Sequence, residues 1–214
     1  MQIAATERTK VRRQPKRANY DRALVHAILD EALTCHVGFA IEGRPWVIPT
    51  IHARIDDRLY LHGAVTNHML RSLTGGIEAC ATITLIDGLV LARSAFHHSM
   101  NYRSVMVFGR ARLVADGPEK LAAFDALVEH VVPGRTADAR PPSDAEIRTT
   151  LVLVLPIDEA SAKVRAGGPI DEPDDIALDV WAGQLPLTTT FGAPIAEPDS
   201  NGTLPAYIAG YRRP

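Results

Sequence analysis

The segment 94–104 concentrates side chains that could hold a polar ligand. Its donors are Ser94, His97, His98, Ser99, Asn101, Tyr102, Arg103 and Ser104, and Arg93 comes just before them. The residues that follow, 105–109, are apolar and predict a core strand. Donors crowded at the entrance of such a strand favour a site for an anion or a polar heterocycle. The alternative is a solvated approach to a hairpin.

A second stretch, 59–70, has the pattern of a phosphate-binding turn. A strand ends near Gly63, and a short helix follows with Thr66 or Asn67 as its N-cap. The unpaired N–H groups at the start of a helix suit a phosphate, and glycine lets the backbone approach it closely. Thr66, Asn67 and His68 add side-chain donors. An ordinary capped helix explains the same residues, so this stretch alone does not decide the function.

Several other chemistries lack their motifs. The chain contains no GxGxxG, GxxxxGK[ST] or GxSxG pattern, which argues against a dinucleotide fold, a P-loop and a nucleophile elbow. Cys35 and Cys80 lie in separate apolar runs with no CxxC, which predicts free thiols. The eight histidines show no metal-ligand spacing, so we expect no metal site. A site built from His36, His52 and His62 on neighbouring strands is the alternative.

Charge is distributed unevenly although the net charge is only −2. Residues 1–22 carry seven basic and two acidic side chains, whereas 166–210 hold seven acidic side chains and no Lys or Arg. We interpret the basic segment as a solvated arm, because nucleic-acid binding would call for interleaved aromatics or a DNA-reading motif. The chain shows no membrane span and no secretion signal, so we expect a cytoplasmic protein.

Hydrophobic periodicity changes along the chain from helical to strand-like. Asp21 begins a helix, and further helices are predicted near 67–73, over 119–131 and at a capping box that begins at Ser143. Asp87-Gly88 has the composition of a tight hairpin turn. The predicted strands are 35–41, 46–54, 59–62, 79–85, 89–95, 104–114, 150–155 and 160–165. Many strands joined by short turns, with helices inserted, predict an antiparallel barrel.

Taken together, these stretches resemble the pyridoxamine 5′-phosphate oxidase-like FMN-binding split-barrel proteins. Within that family, the chain is most similar to the flavoproteins related to nitroimidazole-resistance proteins. The resemblance runs in order over about residues 15–190. It is carried by the segments 17–21, 46–50, 59–63, 87–94, 98–105, 163–165 and 180–183.

The resemblance implies a mainly β fold, an antiparallel Greek-key split β-barrel with peripheral α-helices. It divides the chain into a basic N-terminal arm at 1–18, an FMN-binding barrel domain at 19–168 and an irregular acidic segment at 169–214. It also implies a homodimer with two FMN sites at the interface. In that dimer, Trp181 of each chain borders the flavin held by its partner.

The implied cofactor is FMN, held by residues from four parts of the chain. The strand 46–51 passes beside the isoalloxazine ring, the turn 66–68 binds the phosphate, and Arg103 contacts either of the two. The expected FMN-binding residues are Val47, Ile48, Pro49, Thr50, Leu61, His62, Gly63, Thr66, Asn67, His68, Arg103, Ser104 and Trp181. Where classical oxidases carry Arg and Lys in the phosphate turn, this chain has Asn67 and His68.

The implied function is that of an FMN-dependent oxidoreductase with a small substrate, such as a nitro-aromatic or a quinone, and with no catalytic protein nucleophile. Residues 97–101 would then form the lip of the site, where the substrate is selected. Pyridoxamine phosphate is not the expected substrate, because no counterpart of the substrate-phosphate residues is found. The alternatives are a non-catalytic flavin- or haem-binding module on the same barrel, and a deazaflavin in place of FMN.

Overall fold

A computed structural model describes residues 1–213, and Pro214, the last residue of the predicted acidic segment, lies outside the described residues. The strands are β1 (Ala18–Asn19), β2 (Thr34–Ile41), β3 (Arg44–Ile55), β4 (Arg58–Ala64), β5 (Glu78–Leu91), β6 (Ser99–Arg110), β7 (Arg112–Leu113), β8 (Thr150–Pro156), β9 (Glu159–Arg165) and β10 (Gly183–Pro186). The α-helices are α1 (Arg22–Glu31), α2 (His68–Thr74), α3 (Pro118–Val131), α4 (Asp144–Arg148) and α5 (Ala206–Ala209). Among these residues, no helix is long and apolar enough to cross a membrane.

All strands join one antiparallel sheet in the order β1-β9-β6-β5-β2-β3-β4-β8-β7, with β10 added beside β5. The short connection between β8 and β9 links the two ends of this path, because β8 pairs with β4 while β9 pairs with β6. The result is the mainly β, Greek-key split barrel with peripheral helices that the resemblance implied. Strand pairs far apart in sequence therefore bring the candidate site residues together.

Two clusters of buried side chains hold the barrel together. The larger fills the space between the sheet and helices α1 and α2, with Val37, Leu61 and Val107 from the strands and Leu29 from α1. The smaller lies under α3 around Tyr60. Fully burying an aliphatic side chain contributes about 1.5–3 kcal/mol. These clusters therefore fix the helices and leave the opposite side of the sheet free.

Local signals placed the helices correctly. Asp21 is the N-cap of α1, with its side chain accepting from the backbone N–H of Ala23 at 3.2 Å. Pro118 stands at the start of α3, and Ser143 and Glu146 form the predicted capping box of α4. In each case, the capping chemistry involves residues close in sequence, which a local pattern can detect.

The predicted hairpin at Asp87-Gly88 is wrong. β5 runs through this dipeptide and pairs with β6 on both sides of it. The register shifts after Ile86, so the dipeptide forms a β-bulge, and the chain reverses only within 92–98. Gly88 instead allows the backbone of β10 to approach β5 closely, because a Cβ there would lie 2.7 Å from the carbonyl oxygen of Leu185 in β10.

The segment 169–187, which we call the strap, is anchored although its composition predicts irregular structure. Asp171 accepts hydrogen bonds from the backbone N–H of Arg93 at 2.9 Å and from its Nη1 at 2.6 Å. Further along, β10 pairs with the second half of β5. The strap therefore extends the sheet and holds Trp181 next to it.

Candidate functional site

The outward side of β2, β3, β5 and β6 forms a continuous surface that we call the open face. Paired residues of adjacent strands share one side of a sheet. One such row runs from Pro49 through His36 and Thr82 to Met106. With the neighbouring rows, the open face comprises Thr34, His36, Gly38, Pro45, Val47, Pro49, Ile51, Cys80, Thr82, Thr84, Met100, Tyr102, Ser104, Met106 and Phe108.

The open face, which lies wholly in the described part of the chain, contains no Lys, Arg, Asp or Glu. Val47 is 62% exposed and Met106 is 41% exposed. A contiguous exposed apolar surface of this kind marks a site for a ligand or a partner. A planar aromatic ring system can lie on the part around Val47 and Pro49 without desolvating a charged side chain. At the opposite edge, the guanidinium of Arg8 lies 5.2 Å from the centroid of the Phe108 ring.

A polar cleft of about 390 Å³ lies at the start of α2. It is lined by Thr66, His68, Arg71 and Ser72. Asn67 is the N-cap of α2, and its Oδ1 accepts from the backbone N–H of Leu70 at 3.0 Å. This bond uses only the amide oxygen of Asn67. Arg71 is the permanent cation of the cleft, and it forms no ion pair within residues 1–213.

Trp46 and His68 connect the cleft to β3. Their ring centroids lie 5.3 Å apart. The two segments that the resemblance singled out, 46–50 and 66–68, are therefore neighbours in the fold. A ligand with its rings on the open face beside Val47 could extend past Trp46 and place a phosphate in the cleft.

The other predicted residues of β3 and β4 divide between the two sides of the sheet. Val47 and Pro49 point outward on the open face, whereas Ile48 packs against the core. Thr50 is half-buried. Leu61 is buried in the larger core cluster, so its side chain is not available to a ligand.

His62 and Gly63 support the start of α2. Burial lowers the pKa of His62, which favours its neutral form. A Cβ at Gly63 would lie 3.0 Å from Leu70 Cδ1 and 3.3 Å from Asn67 Nδ2. Glycine at this position therefore leaves room for the N-cap that shapes the cleft.

Arg103 and Ser104 point to opposite sides of β6. Ser104 lies on the open face, where its Oγ donates to the carbonyl of Lys163 at 3.3 Å. Arg103 points toward α1, and its Nη2 lies 2.7 Å from Glu31 Oε1 and 2.7 Å from Asp87 Oδ1. These two carboxylates raise the pKa of Arg103. A contact from Arg103 to a flavin would have to compete with both of them.

Trp181 lies on the strap with 69% of its surface exposed. Its indole packs on the backbone of Gly183, where a Cβ would lie 2.8 Å from Cζ2. β10 then extends the open face, because Leu185 pairs with Leu89 and Leu89 pairs with Met100. The expected contact of Trp181 with a partner's flavin stays a prediction.

The two ends of the donor-rich segment 94–101 differ in exposure and in hydrogen bonding. Ser94 caps a short 3-10 helix, and its carbonyl accepts from His98 Nδ1 at 3.0 Å. Asn101 is buried, donates to Gln184 Oε1 at 2.7 Å and accepts from the guanidinium of Arg165. The Asn101 end of the segment therefore fixes β10, whereas the His98 end is exposed.

Neither thiol is poised as a nucleophile. Both cysteines are free, and burial raises the pKa of Cys35 to about 12 and also raises that of Cys80. His36 and His52, two of the alternative metal ligands, lie apart, since His36 is on the open face and His52 is buried against α1. Within residues 1–213, no group of three or more His, Cys, Asp or Glu side chains could hold a metal ion.

The family model described as "Pyridoxamine 5′-phosphate oxidase" matches residues 21–164, which is more than half of the chain. The chain belongs to the pyridoxamine 5′-phosphate oxidase-like family. The matched range includes the open face, the cleft, β8 and nearly all of β9. Membership of the pyridoxamine 5′-phosphate oxidase-like family confirms the resemblance found in the sequence, while the strap lies beyond the matched range.

Three solved structures extend this comparison. The flavocytochrome Anf3 from Azotobacter vinelandii is 38% identical with a TM-score of 0.91, covering 98% of this chain and 98% of its own. The FAD and haem binding protein from Mycobacterium smegmatis is 36% identical with a TM-score of 0.88, and the match covers 92% of this chain and 98% of that protein. A putative 5-nitroimidazole antibiotic resistance protein from Bacteroides thetaiotaomicron is 29% identical with a TM-score of 0.56, and the match covers 69% of this chain and 86% of that protein. Among curated proteins, no match was found.

Sequence reasoning did not single out several residues that shape the site. Met106, Thr82 and Thr84 complete the open face, and Ser72 lines the cleft. Strict alternation along β5 and β6 is the signal that could have found the first three. Alternation alone does not say which side of a strand faces a ligand, and the pairing of β5 with β6 supplies that information.

Proposed function

We propose that the protein is a redox protein that binds a flavin, in the form of FAD, together with haem. The observation that carries this proposal is the similarity, over at least 92% of the chain, to a flavocytochrome and to a protein named for FAD and haem. The flavin would supply electron or hydride transfer. The residues of this chain would bind the cofactors, orient them and exclude water.

The open face and the cleft together fit a flavin. Its rings would lie on the apolar surface around Val47 and Pro49, and its phosphates would enter the cleft beside His68 and Arg71. The contact between Trp46 and His68 supports this placement, because it puts the start of α2 next to the strand that carries Val47. Ser104 Oγ is a side-chain donor on the same face.

FAD, for which the similar Mycobacterium smegmatis protein is named, replaces the FMN that the resemblance implied, and the cleft can accept its phosphates. FMN ends in a dianionic phosphate, which suits the Arg and Lys of the classical turn. The two phosphates of FAD are joined as a pyrophosphate, and each carries one negative charge. Arg71 can form bidentate hydrogen bonds with one such phosphate, and His68 can donate to its neighbour.

A second copy of the chain is proposed to cover the open face. The apolar surface lacks charge, and closed twofold assembly is the common way to bury such a patch. Trp181 of each copy would then border the flavin of the other. The proposed activity is reduction of a small acceptor such as a nitro-aromatic or a quinone in the cytoplasm, with no nucleic acid involved. The similarity to the nitroimidazole resistance protein supports that substrate class.

Analysis of the full-length protein, purified from cells supplied with a haem precursor, tests the proposal. We expect flavin and Soret absorption bands, FAD as the flavin released by heating, and a dimer by light scattering. A colourless protein that takes up none of FAD, FMN and haemin would overturn the proposal. Release of FMN alone would overturn the assignment of FAD and haem.

Arg71→Ala is expected to weaken flavin binding roughly ten- to hundredfold, because a hydrogen bond to a charged group contributes about 1.5–3 kcal/mol. Titration of deflavinated protein, followed by flavin fluorescence, measures the change. Arg148→Ala is the matched control, since Arg148 is also exposed in the last turn of a short helix and forms no ion pair in the described chain. Equal affinities of the two variants would mean that the cleft does not hold the phosphates.

A further inference from the structure

Haem, if bound as proposed above, needs a protein ligand for its iron. The porphyrin nitrogens occupy four coordination positions of the iron, so one histidine is sufficient as the protein ligand. If the proposed function holds, one of the eight histidines is expected to be this ligand. The structure separates the eight histidines by their hydrogen bonds and exposure.

Four histidines are used inside the fold. His26 lies 3.0 Å from Asp57 Oδ1. Nε2 of His52 and Nε2 of His130 each lie 2.8 Å from a backbone carbonyl, those of Leu29 and Ala32. His62 is half-buried under the start of α2. None of these four rings is free to approach a cofactor at the surface.

His98 has the arrangement of a metal-binding imidazole. Its Nδ1 lies 3.0 Å from the carbonyl of Ser94, which can only accept, so Nδ1 carries the proton. The lone pair is therefore on Nε2, and His98 is exposed. Metal-ligating histidines commonly donate their other ring N–H to a carbonyl, because this fixes both the tautomer and the ring orientation.

An exposed apolar surface adjoins His98. Phe96 is 89% exposed. Leu185, Leu89 and Met100 form a cross-strand row, and all three are exposed. The backbone of His98 is extended, with φ −58° and ψ 142°, as it enters β6, which places its side chain on the same side as Met100. A porphyrin ligated by His98 could therefore bury its apolar ring against this row.

The remaining three histidines lack this combination. His97 Nε2 lies 3.5 Å from Glu172 Oε1, and its ring packs against Phe96. His68 contacts Trp46 with their rings tilted by 49°, and it lines the cleft assigned to phosphate. His36 is exposed in the middle of the open face, and no hydrogen bond within residues 1–213 orients its ring. We infer that His98 is an axial ligand of the haem iron.

Spectroscopy of the full-length protein with haemin tests this inference. His98→Ala is expected to weaken haemin binding at least about tenfold, since even the loss of an outer-sphere partner has a tenfold effect. The ferrous nitrosyl complex of the wild-type protein should show splitting from a trans nitrogen in its EPR spectrum. That splitting should disappear in His98→Ala and return when imidazole is added. His97→Ala and His36→Ala are the matched controls and should keep it.

The outcomes separate the inference from the proposed function. A wild-type protein that takes up no haemin overturns haem binding itself. Uptake with an unchanged EPR spectrum in His98→Ala, or loss of the splitting in His36→Ala, overturns the assignment of His98 alone. Far-UV circular dichroism and the thermal unfolding midpoint of each variant show that the barrel is folded, because neither measurement depends on a bound cofactor.

Discussion

Replacing Arg103 with methionine is expected to lower the unfolding free energy of the apo-protein by about 3 kcal/mol. Arg103 holds Glu31 and Asp87 together, and their side chains are only 21% and 34% exposed. Removing one partner of a buried ion pair costs about 3–5 kcal/mol, and the partial exposure of this site places the cost at the lower end. Urea denaturation at neutral pH measures the change.

Two further variants separate this structural role from a contact with flavin. Arg103→Lys keeps the charge but cannot bind two carboxylates with a planar fork, so an intermediate loss is expected. The triple variant R103M/E31Q/D87N should regain much of the lost stability, because no carboxylate is left without its cation. An apo-protein whose stability is unchanged by R103M would contradict the structural role.

Local sequence patterns predicted the elements of the barrel well. Capping residues such as Asp21 and Ser143 act on backbone groups within three positions, and alternation along β2 reflects one buried and one exposed side. These interactions are encoded within a few neighbouring residues. The mainly β fold and most strand positions could therefore be predicted before any long-range contact was known.

The bulge at Asp87-Gly88 could not be predicted locally. An isolated Asp-Gly pair favours a two-residue turn. Here β6 pairs with β5 on both sides of the dipeptide, and β10 lies directly against Gly88. The long-range pairing outweighs the turn propensity, and β10 itself lies in a segment whose composition predicts no strand.

The candidate site, like the fold, could be predicted only in part from the sequence. The family resemblance selected β3 and the turn before α2, and the structure brings them together through Trp46 and His68. The ion pair between Arg103 and Glu31 could not be predicted from the resemblance, because Glu31 lies on a different element. Once residue 103 is placed on a strand, however, alternation requires that Arg103 and Ser104 face opposite sides.

The apo-protein is expected to lose stability as the pH falls from about 6.5 to about 4, with His52 contributing about 3 kcal/mol. Burial lowers the pKa of His52 to about 4. Its Nε2 donates to the carbonyl of Leu29 at 2.8 Å, and its buried Nδ1 has no hydrogen-bond partner within residues 1–213. A proton on Nδ1 would therefore be unsatisfied in the folded state. His130, at 4.8 Å between ring centroids, also has a pKa lowered by burial.

The sign follows from the two protonation states. Between about pH 4 and about pH 6.5, His52 is protonated in the unfolded chain and neutral in the folded one, so unfolding takes up a proton and acid favours the unfolded chain. His52→Gln can keep the bond to Leu29 but cannot titrate. The number of protons taken up on unfolding, which sets the slope of the unfolding free energy against pH, should therefore be smaller by about one in this variant. Urea titrations across this pH range measure the slope. A slope in His52→Gln equal to that of the wild type would contradict the assignment. A uniform loss of stability in that variant would not, because it shifts the whole curve without changing the slope.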